Sequence, residues 1–172
     1  MKTVYLGLGS NLGDRARMLQ EALDALESPQ FRIRRVSPVY ETEPMEVAAQ
    51  PWFLNLVAEA ETDFFPLQLL QRAKKVEAQL GRRRTRSKGP RSIDIDILLF
   101  GKFIVETPAL EIPHARFRER RFVLAPLADL APDLRDPVTG KTIRELLAKL
   151  PGQAARKIDL QIFSPRIRLE LD

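Results

Sequence analysis

From Thr3 to Leu8 the chain reads TVYLGL, an apolar run with β-branched and aromatic members closed by Gly9, which predicts a buried strand. GSNLGD, residues 9–14, is a turn cluster whose glycines need only allow positive φ, and Asp14 is placed to cap a helix. Met18, Leu19, Ala22, Leu23 and Leu26 then recur at helical spacing, so a helix runs to about Glu27. FRIRRVSPVYET, residues 31–42, alternates again and reads as a strand interrupted near Pro38. EPMEVAAQP, residues 43–51, is a loop with proline near both ends. The next strand, WFLNLVAEAET, puts Phe53, Asn55 and Val57 on one face and Leu54, Leu56 and Ala58 on the other. Pro66 opens a helix whose buried stripe is Leu67, Leu70, Ala73, Val76 and Leu80, with Gly81 as the stop.

Further on, IDIDILLF predicts a strand, and KFIVETPALEIPH contains a short edge strand broken by Pro108 and Pro113. Residues 125–138 read as a Pro-rich connection, and Thr142 caps a short helix, IRELLAKL. The tail from Pro151 alternates weakly and suits either an edge strand or an oligomer contact. The order β-α-β-β-α-β is the ferredoxin-like split βαβ arrangement, an α+β fold with a mainly antiparallel sheet. Helices cover one face. The other face is free for a ligand or for the C-terminal helices, which would complete an α-β-α sandwich with an extra edge strand. The 172 residues suit a single domain over 1–172, with the structure of 152–172 open.

Charge changes the picture at residues 89–100, GPRSIDIDILLF. Asp94 and Asp96 share one strand face, while Ile93, Ile95 and Ile97 point to a core. Adjacent carboxylates repel, and Mg²⁺ would relieve them, since it binds through one or two carboxylates plus substrate phosphates. Just upstream lie Arg82, Arg83, Arg84, Arg86, Lys88 and Arg91, with no acid between Glu77 and Asp94. An anion-binding loop feeding a metal-binding strand suits a polyphosphate. The simpler alternatives are the wet face of an amphipathic strand and a solvated or nucleic-acid-binding loop. Asn55, set among apolar neighbours, is either a satisfied structural amide or a contact to a polar heterocycle. His114, the only histidine, precedes Arg116, Arg118, Arg120 and Arg121 and could meet a phosphate. Phe117 and Phe122 read first as core.

Composition narrows the class. Hydrophobic residues at 44% and charged residues at 30% describe an ordinary globular chain. The absence of cysteine excludes disulfides, thiolate metal sites and cysteine nucleophiles. A net charge of +5 favours anionic partners. No apolar run is long enough to span a membrane, and the N-terminus turns polar and Gly-rich too soon for a signal peptide, so the expected location is the cytoplasm.

GLGSNLGDR, SPVYETEP, QPWFLNLV, GPRSIDIDILLF and IPHARFRERRFVLAPL occur in this order over about residues 3–135. In that combination the chain resembles the 6-hydroxymethyl-7,8-dihydropterin pyrophosphokinase family of folate biosynthesis. The resemblance implies transfer of pyrophosphate from ATP to the pterin hydroxymethyl oxygen, with AMP released and two Mg²⁺ ions held by Asp94 and Asp96. It implies a pterin stacked between Phe53 and Phe122, read by Asn55 and by the segment Thr42, Glu43, Pro44 and Met45. It places ATP against Glu77, Arg82, Arg91, Ile97, His114 and Arg120, with Arg82, Arg91 and Asp96 in catalytic roles and no dedicated base. Segments 9–14, 43–51 and 82–90 would be lids. Departures from the family pattern are a basic loop one residue shorter, Lys88 in place of a Trp, Ala115 where an aromatic is common, and Glu46 where a Gly is common. Neither nucleic acid nor membrane is an expected partner, and the expected state is a monomer with the tail as the candidate dimer contact. The rival readings are a ferredoxin-like RNA-binding module and another Mg²⁺-dependent nucleotide transferase.

Overall fold

The computed structural model describes residues 1–43, 52–81, 93–152 and 155–165. Its centre is strand β1 (Lys2–Ser10), which pairs antiparallel with β4 (Phe53–Thr62) along one edge and β5 (Asp94–Phe100) along the other. Strands β2 (Phe31–Val36) and β3 (Tyr40–Thr42), separated at Pro38 as the sequence suggests, both pair with β4. Beyond β3 lies β8 (Ala155–Lys157), so the tail supplies an edge strand within the chain. The order β5-β1-β4-β3-β8 with antiparallel neighbours is the expected split βαβ sheet. The segment after β5 departs from expectation. Its two short strands, β6 (Val105–Glu106) and β7 (Glu111–Ile112), pair only with each other, forming a separate ribbon rather than an edge of the main sheet.

Alternation sorts the side chains. Val4, Leu6, Leu8, Leu54, Leu56, Ala58, Ile95 and Ile97 face helices α1 (Arg15–Leu26) and α2 (Pro66–Gly81) in the larger core. Asp14 caps α1 by accepting from the Arg17 amide at 3.1 Å. The stripe of α2 is Leu69, Ala73, Val76 and Leu80, and Leu67 is 54% exposed. The sequence reading that placed Leu67 inside is therefore corrected: i, i+4, i+7, i+11 from Leu69 faces the sheet, and Leu67 in the first turn looks outward.

The opposite face carries a second core, in which Tyr5, Val57, Leu98 and Leu99 meet Phe117, Val123, Leu124, Leu127, Ile143 and Leu146. Helix α3 (Arg121–Leu130) runs through the stretch expected to be a connection, with Pro126 inside it. A proline there forfeits one helical hydrogen bond, and burial of Val123, Leu124 and Leu127 outweighs that local loss. Helix α4 (Ile143–Ala148) starts at Thr142 with a capping box closed by Glu145, as the sequence indicates. Among the described residues no helix is long and apolar enough to cross a membrane.

One buried ion pair fastens this second layer. Asp136 has no exposed surface, and it accepts from Arg118 Nε at 2.6 Å and Arg118 Nη2 at 2.9 Å. Thr139 Oγ1 at 2.8 Å and the Val138 amide at 3.0 Å complete its shell. Burial alone would raise its pKa, but these hydrogen bonds and the guanidinium outweigh it and carry the carboxyl down to about 2 from 3.8. A lowered carboxylate pKa contributes stability that is present above the ordinary value and is lost as pH falls towards the folded one. Asp136→Asn is expected to cost about 2 kcal/mol near neutral pH. In urea unfolding, the gap to wild type should narrow between about pH 5 and about pH 3; a gap that stays constant over that range rules out the charge as its source.

Candidate active site

Beyond the cover of α3 and α4, one end of the second sheet face carries no helix among the described residues. Two rows of paired residues cross it. Tyr40, Asn55, Gly9 and Asp94 stand side by side on β3, β4, β1 and β5. One step along, Val57, Gly7 and Asp96 form the next row. Both glycines of β1 thus lie between the amide and the carboxylates, and no side chain rises from the centre. A methyl group at Gly9 would sit 2.7 Å from Asn55 Oδ1 and 3.7 Å from the Phe53 ring, so both side chains lean over the glycine. The reading of Gly9 as a turn residue is corrected. It belongs to the strand, and the positive φ of the segment falls on Gly13 at 66°. Ser10 and Asn11 are buried, which ties down the first part of the segment expected to act as a lid.

Asn55 is 5% exposed, and its Nδ2 donates to Thr42 Oγ1 at 2.6 Å. That bond fixes the amide with its oxygen towards the glycine groove, ready to accept from a ligand. Phe53 is half-buried at the start of β4. Phe122 is half-buried at the start of α3, packed on the second core with the Arg120 guanidinium 5.4 Å from its ring centre.

On the other side of the groove, β5 presents half-buried Asp94 and Asp96. Glu77 on α2 accepts from the Ile95 amide at 2.9 Å, so it holds the backbone between the two acids. Its half-buried position and this bond make Glu77 a support for β5 rather than a solvated surface acid. The His114 amide donates to the Leu98 carbonyl at 3.0 Å, and its Nε2 lies 3.8 Å from Asp96 Oδ1. Burial lowers the His114 pKa; Asp96 opposes this and Arg120 adds to it. The ring is therefore neutral near pH 7, and Nδ1 accepts from the Arg116 amide at 3.3 Å. The proton accordingly sits on Nε2, which can donate to an anionic oxygen. Arg120 Nε is buried with no hydrogen-bond partner among the described residues, a donor suited to a ligand acceptor.

The face thus brings together Thr42, Phe53, Asn55, Asp94 and Asp96, with His114, Arg120 and Phe122 from the segment packed above it. Glu43 follows directly at the end of β3. Ile97 turns its side chain into the α1/α2 core, which leaves only its backbone for a nucleotide. Pro44, Met45, Arg82 and Arg91 lie outside the described residues. Among the described residues no three His, Cys, Asp or Glu side chains cluster as a cage. A carboxylate pair suits a hard cation that draws its other ligands from phosphate and water. The sequence reading missed Gly7 and Gly9 as a steric clearing, although glycine inside a strand pattern is itself a sign of close approach.

The profile of the 7,8-dihydro-6-hydroxymethylpterin-pyrophosphokinase (HPPK) family matches residues 5–132. The chain belongs to that family. The Pseudomonas aeruginosa 2-amino-4-hydroxy-6-hydroxymethyldihydropteridine pyrophosphokinase is 45% identical over 159 residues, covering 92% of this chain and 98% of that protein. The Methylorubrum extorquens protein of the same name is 44% identical and is covered over its full length. The Schizosaccharomyces pombe folic acid synthesis protein fol1 is 46% identical, but this chain spans only 21% of its length. A crystal structure of wild-type Plasmodium falciparum HPPK-DHPS superposes with a TM-score of 0.73 at 19% identity, over 86% of this chain and 44% of that one, and shows the shared fold. Membership makes the chain a pyrophosphokinase of folate biosynthesis, and an ATP-using pyrophosphokinase works with a divalent cation. The Asp94–Asp96 pair fits that cation.

The glycine clearing predicts an asymmetry. Gly9→Ala must displace the Asn55 amide, whereas the atoms nearest a methyl group at Gly7 belong to the Leu98 side chain, 3.4 Å away and able to shift. Pterin binding, followed by fluorescence titration with an ATP analogue present, is expected to weaken about tenfold or more in Gly9→Ala, a loss of roughly 1.4 kcal/mol. Gly7→Ala should bind within a few-fold of wild type. Equal behaviour of the two variants would remove the steric role of Gly9.

Proposed function

We propose that the bare sheet face transfers the β,γ-pyrophosphoryl unit of ATP to the hydroxymethyl oxygen of 6-hydroxymethyl-7,8-dihydropterin, with the two substrates meeting over Gly7 and Gly9. The observation that carries this reading is the row Asn55–Gly9–Asp94. Two inter-strand spacings, about 10 Å, separate an amide reader from a carboxylate pair, and the strand residue between them is a glycine. That span suits a fused bicyclic ring with a one-carbon arm, its amide-like edge at Asn55 and its hydroxyl near the acids.

Each side chain then has a role. Phe53 and Phe122 stack on the pterin faces, for which offset aromatic contacts are favourable. Asn55 Oδ1 accepts from the ring's donor edge while Thr42 holds the amide, and Glu43, Pro44 and Met45 are assigned to the same substrate. Asp94 and Asp96 would hold two Mg²⁺ ions, which when bound neutralise phosphate charge and orient its oxygens. His114 Nε2–H and Arg120 Nε–H donate to phosphate oxygens. Arg82 and Arg91 oppose charge on the triphosphate, and Glu77 acts by holding β5. The backbone of Ile97 borders the nucleotide.

The hydroxymethyl oxygen attacks the β-phosphorus in line with the bridging oxygen to the α-phosphorus. The new O–P bond forms as that bridge breaks, AMP leaves with the bridging oxygen, and the hydroxyl proton passes to solvent or to phosphate. Positioning and charge compensation supply the rate, so no dedicated base is required. The single domain over 1–172 is proposed to act as a monomer. An RNA-binding module would leave the paired acids unexplained, since they repel a phosphate backbone.

The test is AMP release dependent on hydroxymethyl-dihydropterin. Asp94→Asn and Asp96→Asn should each lower kcat by about a thousandfold, because charge clamps of this kind are worth several kcal/mol in the transition state. Asn55→Ala and Phe122→Ala should act chiefly on the pterin KM. Turnover that survives loss of either carboxylate would end this assignment.

A further inference from the structure

The C-terminal segment lies beyond residue 132, where the family match ends, yet it is bound to the acceptor side of the groove. Strand β8 pairs Lys157 with Tyr40, Arg156 with Glu41 and Ala155 with Thr42. Across the same three-residue strand, Tyr40 pairs with Asn55 and Thr42 with Phe53. Every acceptor-side residue of β3 and β4 is therefore within one strand of the tail. Without β8, β3 would be a three-residue edge strand carrying the hydroxyl that fixes Asn55. The Ile158 amide donates to the Val39 carbonyl at 2.9 Å. Antiparallel alternation puts the next exchanged pair at Arg156 and Glu41.

Side chains reinforce the ladder. Glu41 accepts from Arg156 Nη2 at 2.6 Å and from Arg15 Nη1 at 3.1 Å. The same Arg15 Nη1 donates to the Trp52 carbonyl at 2.8 Å. This cluster joins the end of β3 to the residue preceding β4, so it gathers both feet of the segment between them. On the other face, Lys157 Nζ lies 3.4 Å from Asp129 on α3, and the Tyr40 hydroxyl donates to the same carboxylate. That couples β8 to the helix that carries Phe122. Further along, Gln20 and the Phe163 backbone exchange two hydrogen bonds, at 2.9 and 3.1 Å, and Ile158, Leu160 and Ile162 pack on the main core. The described part of the tail, 155–165, is thus held at β3 and again at Gln20.

We infer that strand β8, through Arg156 and its pairing with β3, positions Thr42 and hence the Asn55 amide for the pterin. Arg156 is a positioning residue, since it touches neither substrate, and the inference rests on the acceptor pocket proposed above.

The experiment uses the full chain with two variants. Arg156→Pro removes the ladder N–H, and Arg156→Glu keeps the backbone while setting a like charge against Glu41. KM for pterin, KM for ATP and kcat are measured for each. The expected result is a pterin KM raised about fivefold or more, with the ATP KM within about twofold of wild type. Arg34→Ala breaks a comparable surface pair with Glu61, 3.2 Å apart at the far end of the sheet, and should leave both KM values unchanged. A merely structural tail would lower melting temperature or active fraction without this split. If Arg156→Pro does not fold, Arg156→Glu decides by the same criterion. A folded variant with an unchanged pterin KM overturns the inference. Asn55→Ala separates the two claims. If it raises the pterin KM and the Arg156 variants do not, the brace alone fails. If Asn55→Ala has no effect either, the pocket assignment fails and the brace falls with it.

Discussion

The structure depends on a strand that must be paired along both edges and yet carry glycine, not a side chain, at one end of one face. β1 carries Val4, Leu6 and Leu8 into the larger core, while Gly7 and Gly9 leave the opposite side open. Glycine inside a strand weakens it by roughly 0.5–1 kcal/mol relative to alanine. The loss is tolerable here because β1 is laddered to β4 along its whole length and to β5 from Val4 to Gly9, and has a buried apolar row behind it. The clearing thus sits on a strand held along both edges, a rigid base for the proposed pair of substrates.

The two banks of the clearing are held by different forces. On the acid bank, the backbone of β5 is pinned by Glu77 and faced by a neutral His114 kept uncharged by burial. The paired carboxylates there suit a hard divalent cation. On the acceptor bank, the decisive contact is a single buried hydrogen bond, Asn55 to Thr42, and its geometry depends on how well the short β3 is held. The clamp of Arg118 on Asp136 steadies the turn carrying residues 114–122, so Arg120 and Phe122 are presented from a fixed base. A separate guanidinium cluster around Glu41 holds the other end of the acceptor bank.

Period-two alternation made the main strands legible, and with them the shared face of Asp94 and Asp96 and that of Phe53 and Asn55. Helical spacing and the Asp14 and Thr142 caps made three helices legible. The misreadings occurred where local sequence competes with tertiary packing. Pro126 reads as a breaker, yet a buried stripe on either side carries the helix through it. Leu67 and Leu69 are equally apolar, and only the direction of the first turn decides which is inside. Arg118 with Asp136, and Arg15 with Glu41 and Arg156, pair across separations that no local pattern encodes. The glycines of β1 could be seen but not interpreted, because their meaning lies in what leans over them from β4.

The division of the second face into a covered half and a bare half has a local cause in β5. Pairing with β1 runs Gly9–Asp94, Leu8–Ile95, Gly7–Asp96 and Leu6–Ile97, then steps over Leu98 to Tyr5–Leu99. A bulge of this kind gives the strand one extra residue and reverses its phase. Before it, the acids share the face of the glycines. At it, Leu98 and Leu99 both join the core beneath α3 and α4, and Phe100 returns to the α1/α2 side. The apolar half can thus be roofed by helices without a β5 carboxylate beneath them. The bulge also affects the Leu98 carbonyl, which accepts from the His114 amide at 3.0 Å. The irregularity that ends the polar half is therefore the point at which the histidine segment attaches, and it brings His114 Nε2 within 3.8 Å of Asp96. In a regular β5, Leu99 and Phe100 would exchange faces, so the roof of the second core and the placement of the histidine beside the acids follow from the same extra residue.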